Sequence, residues 1–306
     1  MTSFDTDTLA QAIVQHHAPA FAPEGSALPP QPVPPATGSQ PAYLAALQAC
    51  SALGFIAHDA ECLARAWQAQ SDRLGHFDAG QWPDDPRDFG VIPADAVQPP
   101  AFAACPRSLG LYAVLPDAQW VGRMARAGVP TVQLRFKSED PQAIAREVRA
   151  AVAEVEGTSA LLFINDHWQE AIAAGAYGVH VGQEDLDAMQ PADLERIRAA
   201  GLRLGVSTHG YAEMLRAQAV RPSYIALGAV FPTTLKRMAT APQGVARLAA
   251  YVRLMGQYPL VAIGGIGEEQ FPAVLATGAG SIAVVRALVA AQDPEGQARA
   301  LQAAWR

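Results

Sequence analysis

The segment FINDHWQEAIAAGAYGVHVGQEDL, residues 163–186, contains two apolar runs that each lead into acidic residues. Asp166 follows the first run, and Asp185 follows the second run nineteen positions later. The residues between the runs, HWQEAIAAG, have the spacing of an amphipathic helix. A strand, a helix and a second strand in this order predict a βαβ unit with parallel strands, because a helical crossover joins parallel neighbours.

The same alternation repeats from Ser108 onward. Eight apolar, strand-like runs lie between helical segments: LGLYAVL, TVQLRFK, LLFIND, GVHVG, RLGVST, YIALGAVF, LVAIGGI and SIAVVRAL. The runs are nearly continuous in apolar residues, which is typical of strands that are covered on both faces. Eight βα units in about 200 residues predict an α/β fold, a TIM (β/α)8 barrel, over residues 107–306. A doubly wound open sheet is the alternative, but eight regular units favour closure.

The first hundred residues have a different pattern. Residues 17–41 are rich in proline and predict an extended, poorly packed linker. The next stretch, AYLAALQACSALGFIAHDAECLARAWQAQS, predicts a helical hairpin that breaks at Gly54. His58 and Asp59, at the start of its second helix, are expected to be surface polar residues. Residues 1–100 are therefore predicted to form an N-terminal extension, whose role the sequence does not reveal.

Composition and charge narrow the class of protein. The chain has 306 residues, of which 50% are hydrophobic, so it can bury a large core. Its net charge of −7 argues against a general nucleic-acid-binding face. Cys50, Cys62 and Cys105 have no metal-binding spacing and are expected to be reduced thiols. The chain shows no secretory signal pattern and no membrane-length apolar stretch, so we expect a cytoplasmic protein with neither membrane nor nucleic-acid partners.

The active site of a TIM barrel lies at the carboxyl ends of its strands, so the residues at those ends are the informative ones. The polar residues there are Gln133, Arg135 and Lys137 after strand two, Asn165 and Asp166 after strand three, Gln183, Glu184 and Asp185 after strand four, Ser207, Thr208 and His209 after strand five, Thr233, Thr234 and Lys236 after strand six, and Arg286 after strand eight. Cations and carboxylates are thus predicted to face one another at one mouth of the barrel.

This set of side chains suits a metal-bound diphosphate. Asp166 and Asp185 offer hard oxygen ligands and leave most coordination positions open, as Mg²⁺ carrying a phosphate requires. Arg135 and Lys137 are two positions apart on one strand and share a face, so both can reach a polyanion. Lys236 can approach from strand six. The alternative for the two aspartates is that they only form ion pairs that brace the barrel rim.

A second anion site is predicted after strands seven and eight. The turn IGGIG, residues 263–267, contains Gly264 and Gly265, and glycine lets backbone N–H groups approach a phosphate closely. The loops after strands seven and eight commonly bind phosphate in this fold. Tight packing of the turn is the alternative explanation for the glycines.

Several motifs in the right order resemble the thiamine phosphate synthase family: QLRFK, FINDHWQEAI, GAYGVHVGQEDL, LGVSTHG, YIALGAVFPTTLK with APQG following, and VAIGGI. The resemblance covers about residues 107 to 300. It implies a TIM-barrel transferase that joins a hydroxymethylpyrimidine diphosphate to a hydroxyethylthiazole phosphate and releases pyrophosphate. It also implies a requirement for Mg²⁺ and a dissociative displacement. Whether the chain forms a homo-oligomer, and whether its thiazole substrate carries an extra carboxylate, are left open.

The resemblance also assigns roles to individual residues. Asp166 and Asp185 would hold Mg²⁺. The catalytic and substrate-binding positions would be Arg135, Lys137 and Lys236 on the diphosphate, Asn165 on the diphosphate or bracing its own loop, Gln133 on the aminopyrimidine, Ser207 near the pyrimidine diphosphate, Thr233 in the thiazole pocket, and Gly265 with the backbone at Val285 on the thiazole phosphate.

Two positions depart from the family pattern. Leu235 replaces a threonine in PTTLK, which removes one hydroxyl from the thiazole side. Arg286 stands where the family usually has serine, and it could pair with the phosphate, point into solvent or crowd the pocket. His180 is expected to be a hydrogen-bonded core or pocket residue. His209 supports a rival function, a thiazole tautomerase-like isomerase, and a non-catalytic barrel that binds thiazole phosphate is a further alternative.

Overall fold

The computed structural model describes residues 5–21, 28–233 and 241–305. Eight parallel strands close into a barrel in the order of the sequence. They are β1 (Gly110–Leu115), β2 (Thr131–Leu134), β3 (Leu161–Asn165), β4 (Gly178–Val181), β5 (Arg203–Thr208), β6 (Tyr224–Leu227), β7 (Leu260–Ile263) and β8 (Ser281–Val284). Because β1 pairs with β8 from Gly110 opposite Ser281, the sheet has no open edge. The predicted TIM barrel is confirmed, and the open sheet is wrong.

The helices of the described chain alternate with these strands after an N-terminal group of three. They are α1 (Thr6–Phe21), α2 (Pro41–Ala52), α3 (Ala57–Leu74), α4 (Ala118–Arg126), α5 (Pro141–Val155), α6 (Trp168–Ala174), α7 (Gln183–Ala188), α8 (Pro191–Ala199), α9 (Tyr211–Ala219), α10 (Gly244–Leu254), α11 (Phe271–Leu275), α12 (Arg286–Val289) and α13 (Pro294–Ala303). Asp117, Asp140 and Asp293 cap α4, α5 and α13, because each carboxylate accepts a hydrogen bond from a backbone N–H in the first turn.

Two apolar layers explain why the strands are apolar throughout. Tyr112 and Val114 point into the barrel, where they pack with Phe163 and Val261. Their neighbours Leu111, Ala113 and Leu115 belong to the layer between the strands and the surrounding helices. Successive side chains of a strand point to opposite faces of the sheet. Because both faces are covered here, a polar side chain on either face would be costly to bury. No helix among the described residues is long and apolar enough to cross a membrane.

The proline-rich stretch begins later than predicted. Residues 17–21 belong to α1, so the predicted start of the linker at residue 17 is wrong. Aromatic contacts hold this part of the helix in place: the ring of His17 lies 5.0 Å from that of Trp82, and the ring of Phe21 lies 5.6 Å from that of Phe55, measured between centroids. These contacts form between segments far apart in sequence, and proline content does not reveal them.

The N-terminal helices pack onto the barrel helices α9 and α10. Trp82 donates from Nε1 to the hydroxyl of Tyr211, the first residue of α9, at 3.0 Å. The guanidinium of Arg247 on α10 lies 3.8 Å above the ring of Phe55 and donates to the carbonyl of Leu53 at 2.9 Å. The extension is therefore joined to the barrel by buried aromatic and polar contacts.

Asp59 corrects a second prediction. It was expected at the surface, but its relative exposure is only 4%. Its Oδ1 accepts a hydrogen bond from the backbone N–H of Ala212 at 2.9 Å, so a barrel helix covers it. Its neighbour His58 is exposed, as predicted.

Candidate active site

Asp166 lies at the carboxyl end of β3 in an unusual backbone conformation. Its φ is +65°, a left-handed value that is uncommon for residues other than glycine. Its backbone N–H donates to the carbonyl of His180 on β4 at 2.9 Å. Lys137, beyond the end of β2, donates from Nζ to Asp166 Oδ2 at 2.6 Å. Backbone strain of this kind is found most often at functional sites, where surrounding contacts hold it in place.

Asp185 lies close to Asp166 and is sensitive to its charge. It is in the first turn of α7, and its Oδ2 accepts from the backbone N–H of Gly182 at 3.1 Å. Burial, and then the negative charge of Asp166, raise the pKa of Asp185 above its usual range. The loops after β3 and β4 therefore bring together the two carboxylates that the sequence predicted as metal ligands.

This pair fits a divalent cation, because a positive ion between two carboxylates removes the cost of having both ionised. Within the described part of the chain, no group of three or more His, Cys, Asp or Glu side chains forms a fuller metal cage. Two carboxylates with open coordination positions match the way in which proteins usually hold Mg²⁺ together with a phosphate.

A chain of hydrogen bonds crosses the interior of the barrel from β2 to β5. Gln133 donates from Nε2 to the hydroxyl of Tyr112 at 2.9 Å, and that hydroxyl lies 2.7 Å from the hydroxyl of Tyr224. His180 continues the chain, with Nδ1 2.6 Å from the Tyr224 hydroxyl and Nε2 2.7 Å from Oγ of Ser207. The chain fixes the side-chain orientation of Gln133 and Ser207, two of the predicted substrate-binding residues.

The middle of this chain is deeply buried. Tyr112 and Tyr224 are 1% and 0% exposed, and burial raises the pKa of both phenols far above the usual range, which keeps them neutral. His180 is 6% exposed, which agrees with its predicted place in the core or pocket. Sequence reasoning missed both tyrosines as members of the site. Their signal was a single hydroxyl in each of two otherwise apolar strands.

Gln183 connects the end of β5, which carries Ser207, to the helix that carries Asp185. It is the first residue of α7, and its Nε2 donates to the carbonyl of Ser207 at 2.7 Å. Its Oε1 accepts from Nη2 of Arg216 on α9 at 2.8 Å. These bonds brace α7, α9 and the end of β5 against one another.

The predicted diphosphate-binding cations are only partly described. Arg135 lies directly beyond β2, where its backbone N–H donates to Leu115 at 2.7 Å and its side chain is half-buried. Lys137 is exposed at the same mouth. Asn165, the last residue of β3, is buried and pairs in register with His180. Lys236 and Leu235 lie outside the described residues.

The turn after β7 requires glycine. Gly265 has a φ of +67°, and a Cβ added there would lie 2.5 Å from the carbonyl oxygen of Pro232. Gly264 is equally tight, because a Cβ there would lie 2.5 Å from that of Ala229. The turn is thus packed against the loop that leads to Thr233, a half-buried residue of the predicted thiazole pocket.

Val285 and Arg286 begin the short helix α12 after β8. Val285 is the N-cap, and its carbonyl accepts from the backbone N–H of Leu288 at 3.1 Å. Arg286 is exposed, and among the described residues it pairs with no carboxylate within 4.0 Å. Within the described residues, its guanidinium is therefore open to an anion.

His209 is held by a local contact on α9. Its Nδ1 lies 2.6 Å from Oε2 of Glu213, which also accepts from the backbone N–H of His209 at 2.9 Å. Burial raises the pKa of Glu213, but the bonds from His209 outweigh it and the pKa is lowered. This contact engages one ring nitrogen of the histidine on which the tautomerase alternative depends.

Fold and site together define a TIM-barrel enzyme that acts on small molecules, with carboxylates and cations at the carboxyl ends of its strands. The chain belongs to the thiamine monophosphate synthase family, whose sequence profile matches residues 111–288.

The thiamine-phosphate synthase of Neisseria meningitidis serogroup B is 56% identical over 197 residues, which cover 64% of this chain and 95% of that enzyme. The Cronobacter sakazakii thiamine-phosphate synthase is 54% identical over 202 residues, which cover 66% of this chain and 95% of that enzyme. The solved structure of the thiamine phosphate pyrophosphorylase of Pyrococcus furiosus superposes with a TM-score of 0.57 and 28% sequence identity. The superposition covers 65% of this chain and 96% of the Pyrococcus furiosus chain. The predicted family and the predicted transferase class are confirmed.

Proposed function

We propose that this chain is itself a thiamine phosphate synthase. It would join hydroxymethylpyrimidine diphosphate to hydroxyethylthiazole phosphate and release thiamine phosphate and pyrophosphate. The observation that carries the proposal is the meeting of Lys137, Asp166 and Asp185 at the mouth of the barrel, in a chain 56% identical to a thiamine-phosphate synthase. The cytoplasmic location stays a prediction, and the oligomeric state stays open.

The reaction needs no nucleophile from the protein. The bond between the pyrimidine methylene carbon and the diphosphate oxygen breaks, and both electrons leave with pyrophosphate. The resulting pyrimidinylmethyl cation is stabilised by resonance. The lone pair of the thiazole nitrogen then forms the new C–N bond, which gives the thiazolium product without loss of a proton. The protein must therefore supply positive charge around the leaving group and hold the two substrates in line.

Charge around the leaving diphosphate would come from the strand-end cations. Arg135 offers a planar fork of donors to phosphate oxygens, and Lys137 offers a compact ammonium. Lys236 keeps the role that the resemblance implies. Asp166 and Asp185 would hold Mg²⁺, which when bound would neutralise part of the charge on the departing pyrophosphate.

The two rings would be positioned by separate groups. Gln133 would contact the aminopyrimidine and Ser207 would lie near its diphosphate, each held by the hydrogen-bond chain through Tyr112, Tyr224 and His180. On the other side, Thr233 would line the thiazole pocket. Gly265, the backbone at Val285 and the guanidinium of Arg286 would receive the thiazole phosphate.

The test is a reconstitution with the purified full-length chain. Both substrates and Mg²⁺ should yield thiamine phosphate and pyrophosphate in equal amounts, measured by chromatography and by a phosphate assay after pyrophosphatase treatment. Omitting either substrate, or chelating the metal, should abolish both products. Absence of product from a folded chain that binds both substrates would reject the proposal. The thiazole tautomerase alternative would then be tested by following isomerisation of a thiazole phosphate precursor without the pyrimidine.

A further inference from the structure

Helix α9 has no capping side chain of its own. It begins after β5 with Gly210 as its N-cap, and glycine has no side chain with which to accept from the first N–H groups. Asp59 on α3 accepts from the N–H of Ala212 at 2.9 Å instead, from 153 residues earlier in the chain. A helix of the barrel therefore receives its cap from the N-terminal extension.

The Asp59 side chain and Gly210 fit closely against each other. A Cβ added to Gly210 would lie 2.0 Å from Oδ2 of Asp59, so the carboxylate occupies the space that a side chain would need. The φ of Gly210 is 174°, an extended value open to any residue, so space and not backbone conformation requires glycine here. Asp59 and Gly210 thus form a matched pair across the interface.

Helix α9 in turn contacts two parts of the candidate active site. Ser207 lies three residues before Gly210, as the second-last residue of β5, whose end leads into the helix. Arg216, one turn into α9, holds Gln183, which donates to the carbonyl of Ser207 and begins the helix of Asp185. A shift at the start of α9 would therefore disturb both the end of β5, where Ser207 lies, and the start of α7.

We propose that the N-terminal extension is a positioning element of the active site, in which Asp59 caps α9 and fixes residues 207–210. This inference rests on the proposed function for its effect on catalysis. The Neisseria meningitidis relative aligns over 95% of its length with 64% of this chain, so a segment of this size has no counterpart in it. Asp59 is a positioning residue, because it acts on Ser207 through residues 208–210, which join β5 to α9.

A matched control exists at the other end of α9. The side chain of Gln218 accepts at Oε1 from the N–H of Ile92 at 2.9 Å, so it also joins the extension to α9, but more than ten positions beyond Ser207. Gln218→Ala should weaken docking of the extension without moving Ser207 at the end of β5. Asp59→Ala removes the cap, whereas Asp59→Asn keeps an acceptor oxygen.

The first measurement is amide hydrogen exchange of peptides spanning residues 205–215 in the full-length chain. Loss of an N-cap should speed exchange in Asp59→Ala by roughly fivefold. Exchange should return close to the wild-type rate in Asp59→Asn and stay unchanged in Gln218→Ala. If Asp59→Ala exchanges like wild type in these peptides, the proposal is overturned, whatever the activity of the chain.

The second measurement is steady-state kinetics with each substrate varied separately. In Asp59→Ala, KM for the pyrimidine diphosphate should rise by about fivefold or more, with KM for the thiazole phosphate within about twofold of wild type. Gln218→Ala should show neither change, even if its melting temperature falls. Equal kinetic effects of the two variants would mean that the extension only supports the fold. If the wild-type chain forms no product, the proposed function is rejected. The hydrogen-exchange measurement would still decide whether Asp59 holds residues 207–210 in place.

A variant on the barrel side covers the case in which Asp59→Ala does not fold. Gly210→Ala places a Cβ against the Asp59 carboxylate and disturbs the same contact from the opposite side. It should reproduce the faster exchange and the selective rise in KM. Wild-type behaviour of Gly210→Ala in both measurements would contradict the proposal.

Discussion

Lys137 and Asp166 form an ion pair between the neighbouring ends of β2 and β3 at the mouth of the barrel, with Nζ 2.6 Å from Oδ2. The pair joins a residue predicted to bind diphosphate to a residue predicted to bind Mg²⁺. Bound diphosphate would compete with Asp166 for Lys137, and bound Mg²⁺ would compete with Lys137 for Asp166. Substitution of Lys137 should therefore have opposite effects on the binding of the two ligands.

Lys137→Met should weaken binding of the pyrimidine diphosphate and strengthen binding of Mg²⁺ alone. The diphosphate loses a charge-assisted contact, so its KM should rise by roughly tenfold or more. Asp166 loses its competing ammonium, so Mg²⁺ affinity should rise severalfold in titration calorimetry. Arg126→Met, which removes an exposed pair with Glu154, should change neither quantity. A parallel fall in both affinities would contradict this account of the pair.

Asp185→Asn should lower kcat by about 10²–10³ at limiting Mg²⁺, because one charged ligand of the metal is lost. The fold should survive, since the raised pKa of Asp185 means that its ionised form is not favoured by folding. Kinetics across a Mg²⁺ titration would measure the effect. Glu195→Gln, on the exposed surface of α8, is the charge-matched control. Wild-type turnover by Asp185→Asn at limiting Mg²⁺ would remove it from the metal site.

Arg286→Ser should chiefly raise KM for the thiazole phosphate. A charge-assisted hydrogen bond is worth about 1.5–3 kcal/mol, which corresponds to roughly ten- to hundredfold. KM for the pyrimidine diphosphate should stay the same, because Arg135 and Lys137, its proposed ligands, lie after a different strand. Arg299→Ser, an exposed arginine on α13, controls for net charge. An unchanged KM for the thiazole phosphate would show that Arg286 points into solvent. A lower KM would show that Arg286 obstructs the thiazole phosphate site.

The buried carboxylate of Asp59 should make stability depend on pH. Burial raises its pKa from 3.8 to about 6, against the opposing effects of the Ala212 N–H, Arg247 and His58, while Glu213 raises it further. The folded state therefore keeps the proton of Asp59 at pH values at which the unfolded state has already lost it. As pH rises from about 4 to about 6, the free energy of unfolding should fall, by at most about 2–3 kcal/mol, and then level off.

Asp59→Asn removes this titration and provides the measurement. Denaturant unfolding of both proteins between pH 4 and pH 7 should show the difference growing in favour of the variant up to about pH 6. Equal pH dependence of the two proteins would show that Asp59 titrates normally.

The amino-acid sequence by itself determined the barrel and the meeting of Asp166 and Asp185 at its mouth. Strands covered on both faces must be apolar at every position, so eight such runs separated by helices were recognisable without coordinates. Because parallel strands end at one edge, residues as far apart as Asp166 and Asp185 could be predicted to meet. These conclusions depend only on local patterns and on the geometry that every parallel barrel shares.

Tertiary structure alone decided which distant groups touch inside that frame. Tyr112 and Tyr224 looked like ordinary strand residues, yet their hydroxyls meet 2.7 Å apart and connect Gln133 to Ser207. Asp59 looked like a surface residue at a helix start, and its burial arises because α3 docks on α9, 153 residues later. Periodicity shows that a helix has an apolar face, but the partner of that face is set by the packing of the whole chain.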